Sequence, residues 1–186
     1  VLSTPASISD RLTHEMQAIG MASIERRFPD KAQAIREAHA QAVTYLQRSQ
    51  SALHTLLEPG TQTARNRALI QTFFDVDHVD QPLLDRLNET VGPLLSRFLH
   101  PDLSPLTSSK YVVCRSRFND KAVAWIHRWD LHKRLYLSEH FFSTLFETPN
   151  ALRQAFVKAT QPPFRTNVHY RAAFMLHEIS HQALDT

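Results

Sequence analysis

From residue 30 to residue 57 the chain carries one continuous apolar stripe. Ile35, Ala38, Ala42, Leu46, Leu53 and Leu56 recur at intervals of mostly three and four, the repeat of a helix with one buried face. Asp30 reads as its N-cap, and Pro59-Gly60 as its stop. Other helices are expected around it. Ser9 is placed to cap one that carries Leu12, Met16 and Ile19 and ends near Phe28-Pro29. A third covers about 63–74, with Leu69, Ile70 and Phe73. A fourth follows Asp80-Gln81-Pro82, with Leu83, Leu87, Leu94 and Phe98, and Gly92-Pro93 is placed to kink or split it. The acidic run Asp75, Asp77, Asp80 lacks the Gly and terminal Glu of a calcium loop, so capping is its preferred role.

After Pro101 and Pro105 the texture changes. Residues 111–116, 122–127 and 134–137 are short, apolar and rich in β-formers, with a turn at Asn119-Asp120, and they predict a small sheet. A short helix over 139–147 carries Phe141, Phe142 and Phe146. Another covers 150–159, and a last one runs over 167–184 with Asn167 as its cap. The expected class is α+β: one domain over 1–186, with a helical part over 1–105 and a sheet plus a last helix over 106–186. The start at Val1 suggests a processed product or a piece of a longer chain.

Composition removes some classes of function. Hydrophobic residues make up 42% and charged ones 21%, as in ordinary globular proteins. No apolar run approaches membrane-spanning length, and no signal peptide is recognisable. The net charge of +3 comes without a Lys/Arg cluster, so nucleic acid is not an expected partner. Cys114 is the single cysteine, which excludes an internal disulfide.

The last helix contains His177-Glu178-Ile179-Ser180-His181. Residues four apart share a helix face, so both imidazoles can bind one Zn2+ ion, while Glu178 reaches a water on it. Zinc lowers the pKa of such a water, and the glutamate is the general base that takes its proton. Histidine is frequent here, 11 of 186, and a chance match arises about 3 times in 100 at that frequency. Val168, Ala172, Leu176, Ile179 and Ala183 form one stripe of this helix; Tyr170, Phe174, His177, His181 and Asp185 form the opposite one. Apolar residues on both sides predict a buried helix.

The order of helices, small sheet and His-Glu-x-x-His helix resembles zinc endopeptidases. The segment Arg134-Leu-Tyr-Leu-Ser-Glu-His-Phe-Phe142 and the motif after it resemble the deuterolysin and peptidyl-Lys metalloendopeptidase group, the aspzincins. The resemblance is sharp over about 134–186 and loose over 31–133. It implies a zincin-like fold, His177 and His181 as zinc ligands and Glu178 as general base. The family continues to Thr-x-Asp-x-x-Tyr, whose Asp is the third ligand. Here Thr186 would match the Thr, and the Asp and Tyr would fall beyond it. The missing disulfides point to a bacterial toxin- or effector-like relative, secreted or delivered into a target cell, with a cytoplasmic location left open.

Catalytic zinc normally has three protein ligands. Asp185, four residues past His181, can bind directly, orient His181, or simply end the helix; a downstream Asp is the preferred third ligand. Cys114 can join as in deformylase-like sites, or lie in the core. His169 is poorly phased with His177, while His127, His132 and His140 read as surface or local hydrogen-bonding residues, any of which can line a cleft. The leading expectation is a zinc endopeptidase acting on protein or peptide, with 111–116 or 122–128 holding the substrate as an added strand. The alternatives are a non-catalytic zincin-like binding module of a larger toxin, and a helical interaction domain over 8–100.

Overall fold

The structure, a computed structural model, describes residues 16–57, 64–74, 76–115, 122–127, 130–143 and 166–184. The first element is a strand, β1 (Met16–Ile19), followed by helices α1 (Met21–Arg27), α2 (Pro29–Leu57), α3 (Ala64–Phe74) and α4 (Gln81–Leu99). A 3-10 turn at Pro101–Leu103 leads to β2 (Tyr111–Cys114), β3 (Ala124–Ile126), β4 (Leu135–Leu137), α5 (Glu139–Phe142) and α6 (Asn167–Ala183). The class is α+β, with a four-stranded mixed sheet in the order β1-β2-β4-β3.

Strand β1 corrects the expected first helix. Met16 and Ile19 do not line a helix face. They instead pair antiparallel with β2, Met16 opposite Cys114 and Ile19 opposite Val112. Ser9 and Leu12 lie outside the described residues. The pairing partner is far away in the sequence, so no local pattern announces it. Gly20 closes the strand with φ 77°, a conformation that glycine adopts without steric cost. Its N–H donates to the Tyr111 carbonyl at 2.8 Å, and α1 starts at the next residue.

Other boundaries shift by a residue or more. Pro29 opens α2, a favourable place for a residue without an N–H, and Asp30 sits in the first turn rather than at the cap. Asp80 does cap α4, its Oδ1 accepting from Leu83 N at 2.9 Å. Gly92-Pro93 does not split α4, which runs on to Leu99. Helix α5 stops at Phe142 instead of Glu147, because Ser143 turns to extended backbone. Thr166, not Asn167, caps α6, its side chain accepting from His169 N. The turn at Asn119-Asp120, Asp75, Phe146 and the helix expected over 150–159 lie outside the described residues.

One apolar core joins both parts of the chain. Ile35, Ala38 and Ala42 of α2 meet Leu94, Leu95 and Phe98 of α4, Tyr111 and Val113 of β2, Leu135 and Leu137 of β4, and Ala172, Met175 and Ile179 of α6. The other sheet face carries Val112, Cys114 and Tyr136, with Trp125 stacked on Tyr136. No helix among the described residues is long and apolar enough to cross a membrane.

His39 of α2 is buried in this core. Its Nδ1 lies 2.9 Å from the Tyr111 hydroxyl, which donates to the Leu103 carbonyl at 3.0 Å. Burial pushes the imidazole down from 6.5 to about 4, against a backbone hydrogen bond to Phe98. Between those values the unfolded chain holds a proton that the folded chain does not, so stability is full above the unfolded value and falls with pH. Urea midpoints are expected to show a loss of about 3 kcal/mol on going from pH 7 to pH 4 through this residue, absent in His39→Gln.

Candidate active site

Helix α6 is positioned from three sides, against α2, α4 and β3. Its buried stripe is Tyr170, Ala172, Met175 and Ile179, all at 0% exposure. This corrects the expectation of a helix buried all round: His177 and His181 are exposed, and Glu178 is half-buried. The two imidazole ring centres lie 5.0 Å apart with the planes at 82°. Two imidazoles bound to one zinc at about 2 Å per bond, near the tetrahedral angle, hold their centres roughly 5 Å apart. The ring separation is thus that of two imidazoles sharing one metal ion. Among the described residues no third His, Cys, Asp or Glu completes a ligand group, and Asp185 and Thr186 lie outside them.

Glu178 points at the sheet. Its Oε2 accepts from the backbone N–H of Ile126 in β3 at 3.1 Å. Burial pushes its carboxyl above the ordinary carboxylate value, while His177, His181 and the Ile126 N–H pull the other way. A raised carboxyl is the better proton acceptor near neutral pH. The edge of β3 is thus part of the site, which nothing in the motif itself announces.

The hairpin that carries this edge is fastened by Asp130. Its carboxylate accepts from the N–H groups of His132 and Arg134, from Arg134 Nε and Nη2, and from the Tyr136 hydroxyl, at 2.9 to 3.2 Å. Lys133 follows at φ 48°, a left-handed turn position. Its carbonyl accepts from Gln182 Nε2 at 2.7 Å, and Gln182 Oε1 accepts from Arg97 Nε at 3.1 Å and Nη2 at 2.9 Å. The last turn of α6, beside His181, is therefore tied to both α4 and the hairpin. Gln182 follows His181 directly, but its partners are distant in sequence and gave no signal.

None of the remaining candidates joins a metal-binding group among the described residues. Cys114 is buried with Val112 and Tyr136 on the sheet face away from α6. His169 Nδ1 lies 2.6 Å from the Tyr45 hydroxyl, two turns before His177. His132 is exposed in the hairpin turn, His140 lies in α5, and His127 is half-buried just after β3. A groove of about 630 Å³ beside the start of α6 is lined by Lys31, Glu37, Glu139, Phe142 and Arg171. Its charges are largely used: Lys31 pairs with Glu139 at 2.7 Å, and Arg171 donates to the carbonyls of Phe141 and Phe142.

Compared with known protein families, with characterised proteins and with solved structures, the chain matches none.

Proposed function

We infer that the protein is a zinc-dependent endopeptidase, of the type that the aspzincin-like motif implies. The observation that carries this is a pair of metal-spaced imidazoles on one helix, with the carboxylate of the glutamate between them in sequence held at the edge of a sheet. His177 and His181, on successive turns of one helix, would hold a zinc ion, which would supply a Lewis acid and a water of lowered pKa. Glu178 accepts the proton of the attacking water and passes it to the leaving amine. The substrate backbone lies along β3. Of the two segments expected to hold it, β2 is excluded, since β1 and β4 occupy both its edges, whereas β3 pairs with β4 alone among the described residues.

The decisive measurement is zinc per chain by elemental analysis. About one zinc per chain is expected, lost in His177→Ala. A chain that keeps no zinc, and keeps none when extended past Thr186, would leave the zincin-like binding module as the better reading.

A further inference from the structure

Strand β3 has two sides with different partners. The Val123 carbonyl accepts from Ser138 N at 3.1 Å, towards the β4 side. Trp125 stands opposite Tyr136 in the same ladder. Alternate residues of a strand present their N–H and C=O to opposite edges, so Ala124 and Ile126 face away from β4. Ala124 is buried, while Trp125, Ile126 and His127 are half-buried. Among the described residues no strand pairs with β3 on this side, and Ile126 is the half-buried residue whose backbone faces it. Its N–H is the donor that a chain added to this edge would meet first, and the Glu178 carboxylate occupies it at 3.1 Å.

We propose that Glu178 is a latch on this edge: an extended polypeptide docking on β3 takes the Ile126 N–H with its own carbonyl and releases the Glu178 carboxylate towards the His177–His181 pair. This rests on the reading of β3 as the substrate cradle. Its consequence is that the base is held to the sheet in the resting enzyme and freed only when a chain is in place. One donor serves two acceptors in turn, so an incoming chain must displace a charge-assisted hydrogen bond, which is stronger than a neutral one. Binding therefore carries a penalty that disappears when the carboxylate is removed.

The probe is dye-labelled casein, an unfolded chain, titrated by fluorescence anisotropy into the full 186-residue protein stripped of metal with a chelator. Glu178→Ala is expected to bind about tenfold more tightly than the unaltered chain. Ile126→Pro removes the donor at an edge position, where proline is tolerated, and is expected to lose the binding whether residue 178 is Glu or Ala. Equal affinity of Glu178→Ala and the unaltered protein overturns the latch, and so does the absence of casein binding by every form. Circular dichroism checks that Ile126→Pro folds; if it does not, the Glu178→Ala comparison alone decides. Cleavage of the same casein after zinc is restored is scored separately. The binding pattern without cleavage leaves the latch standing and removes the peptidase; cleavage with equal affinities does the reverse.

Discussion

Glu178→Gln is expected to keep its zinc and lose cleavage by roughly 10²- to 10⁴-fold, the usual contribution of a positioned general base. The substitution is nearly isosteric. The amide side chain it introduces retains an oxygen to accept from the Ile126 N–H, so the helix and the strand edge stay in register. The change removes the capacity to take a proton, without vacating space. His177 and His181 sit on the exposed face of α6, and their 5.0 Å spacing is set by the helix rather than by residue 178. Zinc content by elemental analysis and cleavage of dye-labelled casein are the two readouts. Undiminished proteolysis in the variant would remove Glu178 from the mechanism.

The second large effect is expected at Asp130. Its side chain is only 7% exposed, and one carboxylate receives hydrogen bonds from two backbone N–H groups, the Arg134 guanidinium and the Tyr136 hydroxyl. Asp130→Ala leaves Arg134 and the Tyr136 hydroxyl without that acceptor, and the loss of charge-assisted hydrogen bonds at a part-buried site is expected to cost about 2–3 kcal/mol. Burial raises the Asp130 carboxyl, but the hydrogen bonds of Arg134, His132 and Tyr136 outweigh it and hold it down to about 2, from 3.8. The stabilisation that depends on this charge is therefore complete above the unfolded value and is lost as pH falls through the folded one. Denaturant titration at several pH values should show the gap between Asp130→Ala and the unaltered protein narrowing by about 2 kcal/mol on acidification. A gap that does not change with pH would mean that shape, not charge, holds the hairpin.

The long helix α2 was legible because Ile35, Ala38, Ala42 and Leu46 repeat at its own period and need no partner to be recognised. The three short strands of the second half were legible from their β-branched and aromatic residues. Strand β1 was not, because Met16, Ala18 and Ile19 suit a helix equally well and only the distant β2 decides. The ends of helices moved by a residue where two capping candidates adjoin, as at Thr166 and Asn167. In the site, His177 and His181 could be placed on one face from their spacing alone. What Glu178 touches could not, since Ile126 lies 52 residues earlier and is reached only through the tertiary fold. Asp130 was open to local reading, as its partners lie two to six residues on, but a single aspartate among Leu131, His132 and Lys133 has no distinctive pattern. The exposure of the histidines was misjudged because Tyr170 and Phe174, on their stripe, suggested an interior face. In fact the interior begins with Tyr170 and does not extend along that stripe as far as His177.

Because β1 comes from the beginning of the described chain and closes the sheet whose other strands come from its second half, neither half is self-sufficient. A break in the backbone near residue 105 would leave β2 with a bare edge on one piece and β1 with nothing to pair with on the other. The helix with the two histidines would lose α2 and α4, the surfaces it leans on. Neither piece would thus carry all the surfaces that position the two histidines.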